Sequence, residues 1–133
     1  MRPFLAALLM MFVLAIPAKA DGTAIENVIL NQIEALRADD FATAFTFASP
    51  MIQGIFGTPE NFGTMVRQGY PMVWRPADVQ FLELEDIDGA LWQSVMIKDQ
   101  AGRLHVLEYQ MVKGETGWKI NAVRFREEPA GLA

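Results

Sequence analysis

Beyond residue 20 the apolar positions follow two successive rhythms. Thr23 and Glu26 have the spacing of a capping box, and Ile25, Val28, Ile29, Ile33 and Leu36 then recur at helical intervals. This spacing predicts a helix over 24–38. Asp39-Asp40 can cap a second, short helix in which Phe41, Ala44, Phe45 and Ala48 share one face. Ser49-Pro50 restarts the chain, with Ser49 placed as a cap or turn residue, and Gly54 and Gly57 limit the turn that follows. Thr58-Pro59 puts a capping residue ahead of a proline at the first helical position, so a third helix runs to about Gln68 with Phe62, Met65 and Val66 as its stripe. The two prolines within 70–76 are expected to keep that stretch extended.

After Ala77 the period changes to that of strands. Runs over 79–87, 90–98, 103–113 and 117–126 are separated by Asp88-Gly89, by residues 99–102 and by Gly114-Glu115-Thr116. These are hairpin-length loops, and Asp-Gly is the strongest turn signal among them. The expectation is an α+β domain, with three N-terminal helices packed on a curved four-stranded antiparallel meander. In the last run Trp118 and Ile120 have one parity, Val123 and Phe125 the other. A bulge near Asn121-Ala122 would bring all four to one face and send Lys119, Arg124 and Arg126 to the opposite one. Trp118, beside Gly117, is then expected in the core. In the second run Leu91, Val95 and Ile97 occupy one face while Trp92 and Met96 occupy the other. Both faces call for cover, which makes a symmetric homodimer through the sheet face near Trp92 and Met96 the expected assembly.

The first twenty residues carry a different message. One charge at Arg2 precedes an unbroken apolar run, residues 4–16, and Ala18 and Ala20 then stand at the two positions a signal peptidase reads. A membrane span needs roughly 17–25 apolar residues, more than this run supplies. The reading is a cleaved signal peptide over 1–20 and a single domain over 21–133, exported to the periplasm or secreted in a bacterium. Cleavage removes Arg2 and Lys19 from 11 basic residues and leaves 9 against 16 acidic ones. Such an acidic chain is poorly suited to nucleic acid or to anionic lipid, both of which are held through Lys and Arg. The absence of cysteine excludes disulfides, thiol catalysis and Cys-ligated zinc, and a single histidine excludes an imidazole-rich metal site.

Three helices followed by a curved meander resemble the cone fold shared by nuclear transport factor two and ketosteroid isomerase. A narrower pattern lies within it: Ser49-Pro50 with Ile52-Gln53 and Phe56-Gly57, then Phe62, Met65-Val66 and Tyr70-Pro71, and finally Gly117-Trp118-Lys119-Ile120. These residues resemble a bacterial exported family known as domain of unknown function 4864, over essentially the whole mature chain. The resemblance implies a fold and transfers no site, and a fold does not by itself specify a function.

The residues compel no chemistry. His105 lies in mid-strand, and Glu108 falls on the other face of a regular strand. Glu108 and Tyr109 sit inside an apolar strand, and with Asp40 they could supply a buried carboxylate and a hydroxyl donor if they faced a pocket. The plainer arrangement packs Tyr109 beside Leu107 and Met111 and turns Glu108 to solvent. Glu83, Glu85, Asp86 and Asp88 lack the spacing of a calcium loop and suit the guarding of a strand edge. There is no phosphate-cradling glycine loop and no nucleophile elbow.

The reading that follows is an exported, non-catalytic cone-fold domain that binds a small apolar ligand or a protein partner, with no cofactor and no metal. Its candidate ligand-binding residues are Tyr70, Trp74, Tyr109 and Glu108. The alternative is a small isomerase or lyase acting on a hydrophobic substrate through a buried carboxylate and Tyr109. Export has a direct check: N-terminal sequencing of the protein from the cell envelope should begin at Asp21, and a retained 4–16 segment in the membrane fraction would contradict it.

Overall fold

The computed structural model describes residues 17–126. Five helices lead into four strands: α1 (Pro17–Arg37), α2 (Phe41–Thr46), α3 (Pro50–Phe56), α4 (Pro59–Gly69), α5 (Pro71–Trp74), β1 (Asp78–Ile87), β2 (Ala90–Lys98), β3 (Leu104–Gly114) and β4 (Gly117–Phe125). The strands form one open antiparallel sheet in sequence order. The class is α+β, and the strand boundaries lie within a residue or so of those expected.

The helices depart from expectation in ways the local chemistry explains. Five are present instead of three. α1 begins at Pro17 and runs through Thr23, so the Thr23–Glu26 capping box is not used. Asp40, Ser49 and Thr58 do cap, accepting from the backbone N–H groups of Thr43, Ile52 and Asn61. α3 passes through Gly54 and stops at Gly57, whose φ of 81° lies in the region glycine tolerates best. The stretch expected to be extended instead contains α5. Pro71 sits in its first turn, where a proline gives up no hydrogen bond, and only the residues before the two prolines, Tyr70 and Arg75, leave the helical region. The apolar run 4–16, on which the signal reading rests, lies outside the described residues.

Asn121 is the extra residue of a bulge in β4: Gln110 pairs with Ala122, and Met111 with Ile120. Because of it Trp118, Ile120, Val123 and Phe125 stand opposite Lys113, Met111, Tyr109 and Leu107, all on the face turned to the helices. A second bulge, which the sequence did not announce, lies in β1 between Phe81 and Leu84. The β1–β2 turn has both Asp88 and Gly89 at positive φ, the type that suits a tight hairpin.

The helix face of the sheet buries Val95, Ile97, Leu107, Tyr109, Met111 and Ile120 against Ile25, Ile29, Ile33 and Leu36 of α1. The α2–α3 connector is bound to β4 directly, with Ser49 N–H donating to Ile120 O at 2.8 Å and Ile120 N–H to Phe47 O at 2.9 Å. α4 approaches α2 closely at Gly63, where an added Cβ would lie 2.7 Å from the Phe41 ring. Trp118 is half-buried, contrary to its expected place in the core, with the Lys113 ammonium 5.0 Å from its ring centre. It closes the edge of the core at the last hairpin.

The opposite face is covered in part by the chain's own arginines. Arg124 lies over the Trp92 ring at 3.8 Å, and its Nε donates to Glu108 at 2.6 Å. Arg126 donates to Glu108 at 3.3 Å and to Glu83 at 2.7 Å, and also reaches Ser94 Oγ. Arg124 above all, then Arg126, holds the Glu108 carboxyl below the usual glutamate range. The linkage has a definite sign. A depressed pKa contributes stability that is present above the unfolded value, about 4.3, and is lost as pH falls through the folded one. Glu108→Gln is therefore expected to lower stability at neutral pH by about 1–2 kcal/mol, the scale of a charge-assisted hydrogen bond at a half-exposed partner. Its acid destabilisation below about pH 4.3 should be shallower than that of the wild type. Part of the slope remains, because Asp39, Glu83 and Asp99 are also lowered. Urea melts of both proteins across pH 3–7 check this (roughly the carboxylate range and above), and parallel pH profiles would contradict it.

Candidate functional site

Between the helices and the bulged end of the sheet lies a cavity of about 360 Å³. Five parts of the chain build it. α1 contributes Gln32 and Leu36, α3 contributes Met51, Ile52 and Phe56, and α4 contributes Phe62, Met65 and Val66. Tyr70 and Val73 close the side where α4 turns into α5, and Tyr109, Ile120, Ala122 and Val123 form the sheet wall. The void has a visible cause. The bulge moves β4 away from a regular register at Asn121, and the positions nearby that could fill the space are the small Ala48 and Ala122.

The wall is held from several sides. The Phe62 ring packs on Phe45 and Phe56, with centroids 5.5 and 6.0 Å away, which ties α2, α3 and α4 together. Gln53 donates to the carbonyls of Phe45 and Ala48 and so fixes α3 on the connector. Asn121 uses both ends of its amide, donating to Gln110 Oε1 at 2.9 Å and accepting from Ser49 Oγ at 2.8 Å. α3 itself buries no residue fully. Its Met51, 54% exposed, lines the cavity and gives the side toward α3 an apolar, partly open edge.

Tyr70 and Tyr109 supply the hydroxyls at this wall. Tyr70 stacks on Phe125, with centroids 5.2 Å apart, and donates to Val123 O at 3.3 Å. No sealed side-chain polar atom among the described residues is left without a partner, and Tyr109, which lines the cavity, is 1% exposed. Burial, and secondarily the neighbouring Tyr70, push its pKa far up, so it stays protonated at any physiological pH. Gln32 is also buried. Its amide nitrogen donates to Ala44 O at 3.2 Å, while its amide oxygen accepts nothing from the described residues.

The other sequence candidates lie elsewhere. Glu108 is on the opposite face of the sheet within the arginine lattice, and Asp40 caps α2 at the surface. Neither can act as a carboxylate in this cavity, and among the described residues no Asp or Glu lines it. Trp74 and His105 border a second, more open cleft of about 470 Å³. There Trp74 Nε1 donates to Asp39 at 2.9 Å under the stacked Arg75 guanidinium, and His105 Nε2 lies 2.8 Å from Asp99 Oδ2. Asp99 also accepts from the N–H groups of Ala101 and Arg103, so it shapes the β2–β3 turn, and its bond with His105 is the main reason its pKa is lowered.

The residues missed from sequence are Gln32, Leu36, Met51 and the Asn121–Val123 wall. One signal was present: Gln32 stands seven residues after Ile25 and four before Leu36, a polar residue within the buried stripe of α1.

The comparisons with known proteins can be set beside this geometry. No curated protein and no solved structure is similar enough to the chain to give a match. The profile of one family, described as Domain of unknown function (DUF4864), matches residues 18–131. Of the residues by which the sequence resembles that family, Ile52, Phe56, Phe62, Met65, Val66, Tyr70 and Ile120 line the cavity, and Ser49 and Gln53 brace it. The match covers nearly all of the chain, and the chain belongs to this family.

Proposed function

We propose that this chain is an exported binding domain with the cone fold of the nuclear-transport-factor-two type, and that its cavity receives a small apolar molecule. The observation that carries this reading is the cavity itself, about 360 Å³ of space lined almost wholly by aliphatic and aromatic side chains. That size falls within the range of pockets that hold small organic ligands. The helix-then-meander order and the bulge in β4 support the cone fold, and the apolar run with its Ala18 and Ala20 supports export. The isomerase alternative is less well supported, because Asp40 and Glu108 both lie outside the cavity.

A neutral fluorescent probe tests the reading. N-phenyl-1-naphthylamine should brighten in the presence of the protein and saturate at one molecule per chain. At a concentration about a hundred times its Kd it should raise stability by about 2.7 kcal/mol. Ile52→Trp enlarges a half-buried side chain that already lines the cavity, so it should abolish this binding while the free protein still unfolds in one cooperative transition. A wild-type protein that neither brightens the probe nor is stabilised by it would refute the proposal.

A further inference from the structure

The polar atoms of the cavity wall select among apolar ligands. Most of them are already occupied: Tyr70 on Val123 O, and Asn121 at both ends of its amide. Two remain. The Tyr109 hydroxyl and the Gln32 amide oxygen make no side-chain hydrogen bond among the described residues, yet neither is sealed off, because no fully buried side-chain polar atom there lacks a partner; both residues line the cavity. A ligand that fills the cavity displaces water from both atoms, and a polar group then left buried and unpaired is costly. The pair therefore describes what the occupant must bring, an acceptor for Tyr109 and a donor for Gln32. A hydroxyl is both at once, whereas a ketone or an ether only accepts.

Charge narrows the class further. Among the described residues no Lys, Arg or His lines the cavity, so nothing there compensates a buried carboxylate or phosphate. Among the described residues no Asp or Glu lines it either, so an ammonium ion fares no better. The basic side chains of β4 and its end are engaged elsewhere: Lys119 donates to Thr46 O, and Arg124 and Arg126 are turned to the other face and paired with Glu108 and Glu83. The partly exposed Met51, with Ile52 and Phe56 beside it in the lining, suits the hydrocarbon part of the ligand.

On these grounds, and resting on the cavity being a binding site, we infer that the ligand is an uncharged alcohol or phenol, its hydroxyl held by Tyr109 and Gln32 and its apolar body filling the space toward α3. Ionised fatty acids, phosphate esters and ammonium ions are excluded from this site.

Four compounds of one shape test it by titration calorimetry at pH 7: naphthalene, 2-naphthol, 2-methoxynaphthalene and 2-naphthoate. The expected result is that 2-naphthol binds about tenfold more tightly than its methyl ether, the scale of one well-made buried hydrogen bond. The anionic 2-naphthoate should bind more weakly than either. Tyr109→Phe, which keeps the ring and its packing, should weaken 2-naphthol about tenfold and leave naphthalene unchanged. Binding of 2-naphthoate as tight as that of 2-naphthol would overturn the inference, as would equal affinity of 2-naphthol and its methyl ether for the wild type. These comparisons use unaltered protein and do not depend on the variant folding. If naphthalene binds without discrimination of the head group, only this inference fails. If no member of the series binds, the cavity reading fails with it.

Discussion

One surplus residue, Asn121, governs the geometry of this domain. Without it the alternation of a regular strand would divide Trp118 and Ile120 from Val123 and Phe125, placing one pair in the core and the other in water. With it, all four face the helices. Asn121 is itself tied to Ser49 and to Gln110, so the bulge is hydrogen-bonded into place at the point where the α2–α3 connector meets β4. The departure from a flat register leaves room that Ala48 and Ala122 do not fill, and that room is the cavity. A single local irregularity thus sets the core face, the anchoring of the helical layer and the position of the candidate site.

The two faces of the sheet divide the chemistry between them. Tyr109 and Glu108 are adjacent in sequence and opposite in role: the tyrosine is buried among apolar side chains and stays protonated, while the glutamate is kept ionised by Arg124 and Arg126. The same alternation that gives β3 its buried Leu107, Tyr109 and Met111 sends its one acidic side chain to the arginines. Because the charges are collected on the outer face, the cavity is neutral. Its few polar side chains, among them Gln32, Tyr70, Tyr109 and Asn121, are uncharged.

Much of this was legible in the sequence, and for stated reasons. The change from helical to alternating period marked the four strands, Asp88-Gly89 marked the tightest turn, and the broken parity around Ile120 and Val123 marked the bulge. Asp40, Ser49 and Thr58 announced their helices, because a short side chain that accepts a backbone N–H leaves a local signature. What was not legible depends on relations between distant segments. Pro71 reads equally well as a breaker of helix or as its first residue, and only packing against α4 decides. Trp118 has the pattern of a core residue, yet it sits at a hairpin edge where Lys113 can cover it only partly. A cavity is an absence of side chains among elements far apart in sequence, so Tyr70 and Tyr109 could be singled out as aromatic while Gln32, which completes the polar pair, passed as one more helical residue.

The central proposal is that the bulge shapes a cavity that receives a small apolar molecule. Native mass spectrometry of the protein purified from the cells that make it reads this most directly. The account predicts a species heavier than the bare chain by one small organic molecule, which leaves as a neutral on gentle activation and is missing when Ile52→Trp is prepared in the same way. A bare chain alone in the wild type, from preparations that have met no detergent or organic solvent, would contradict it.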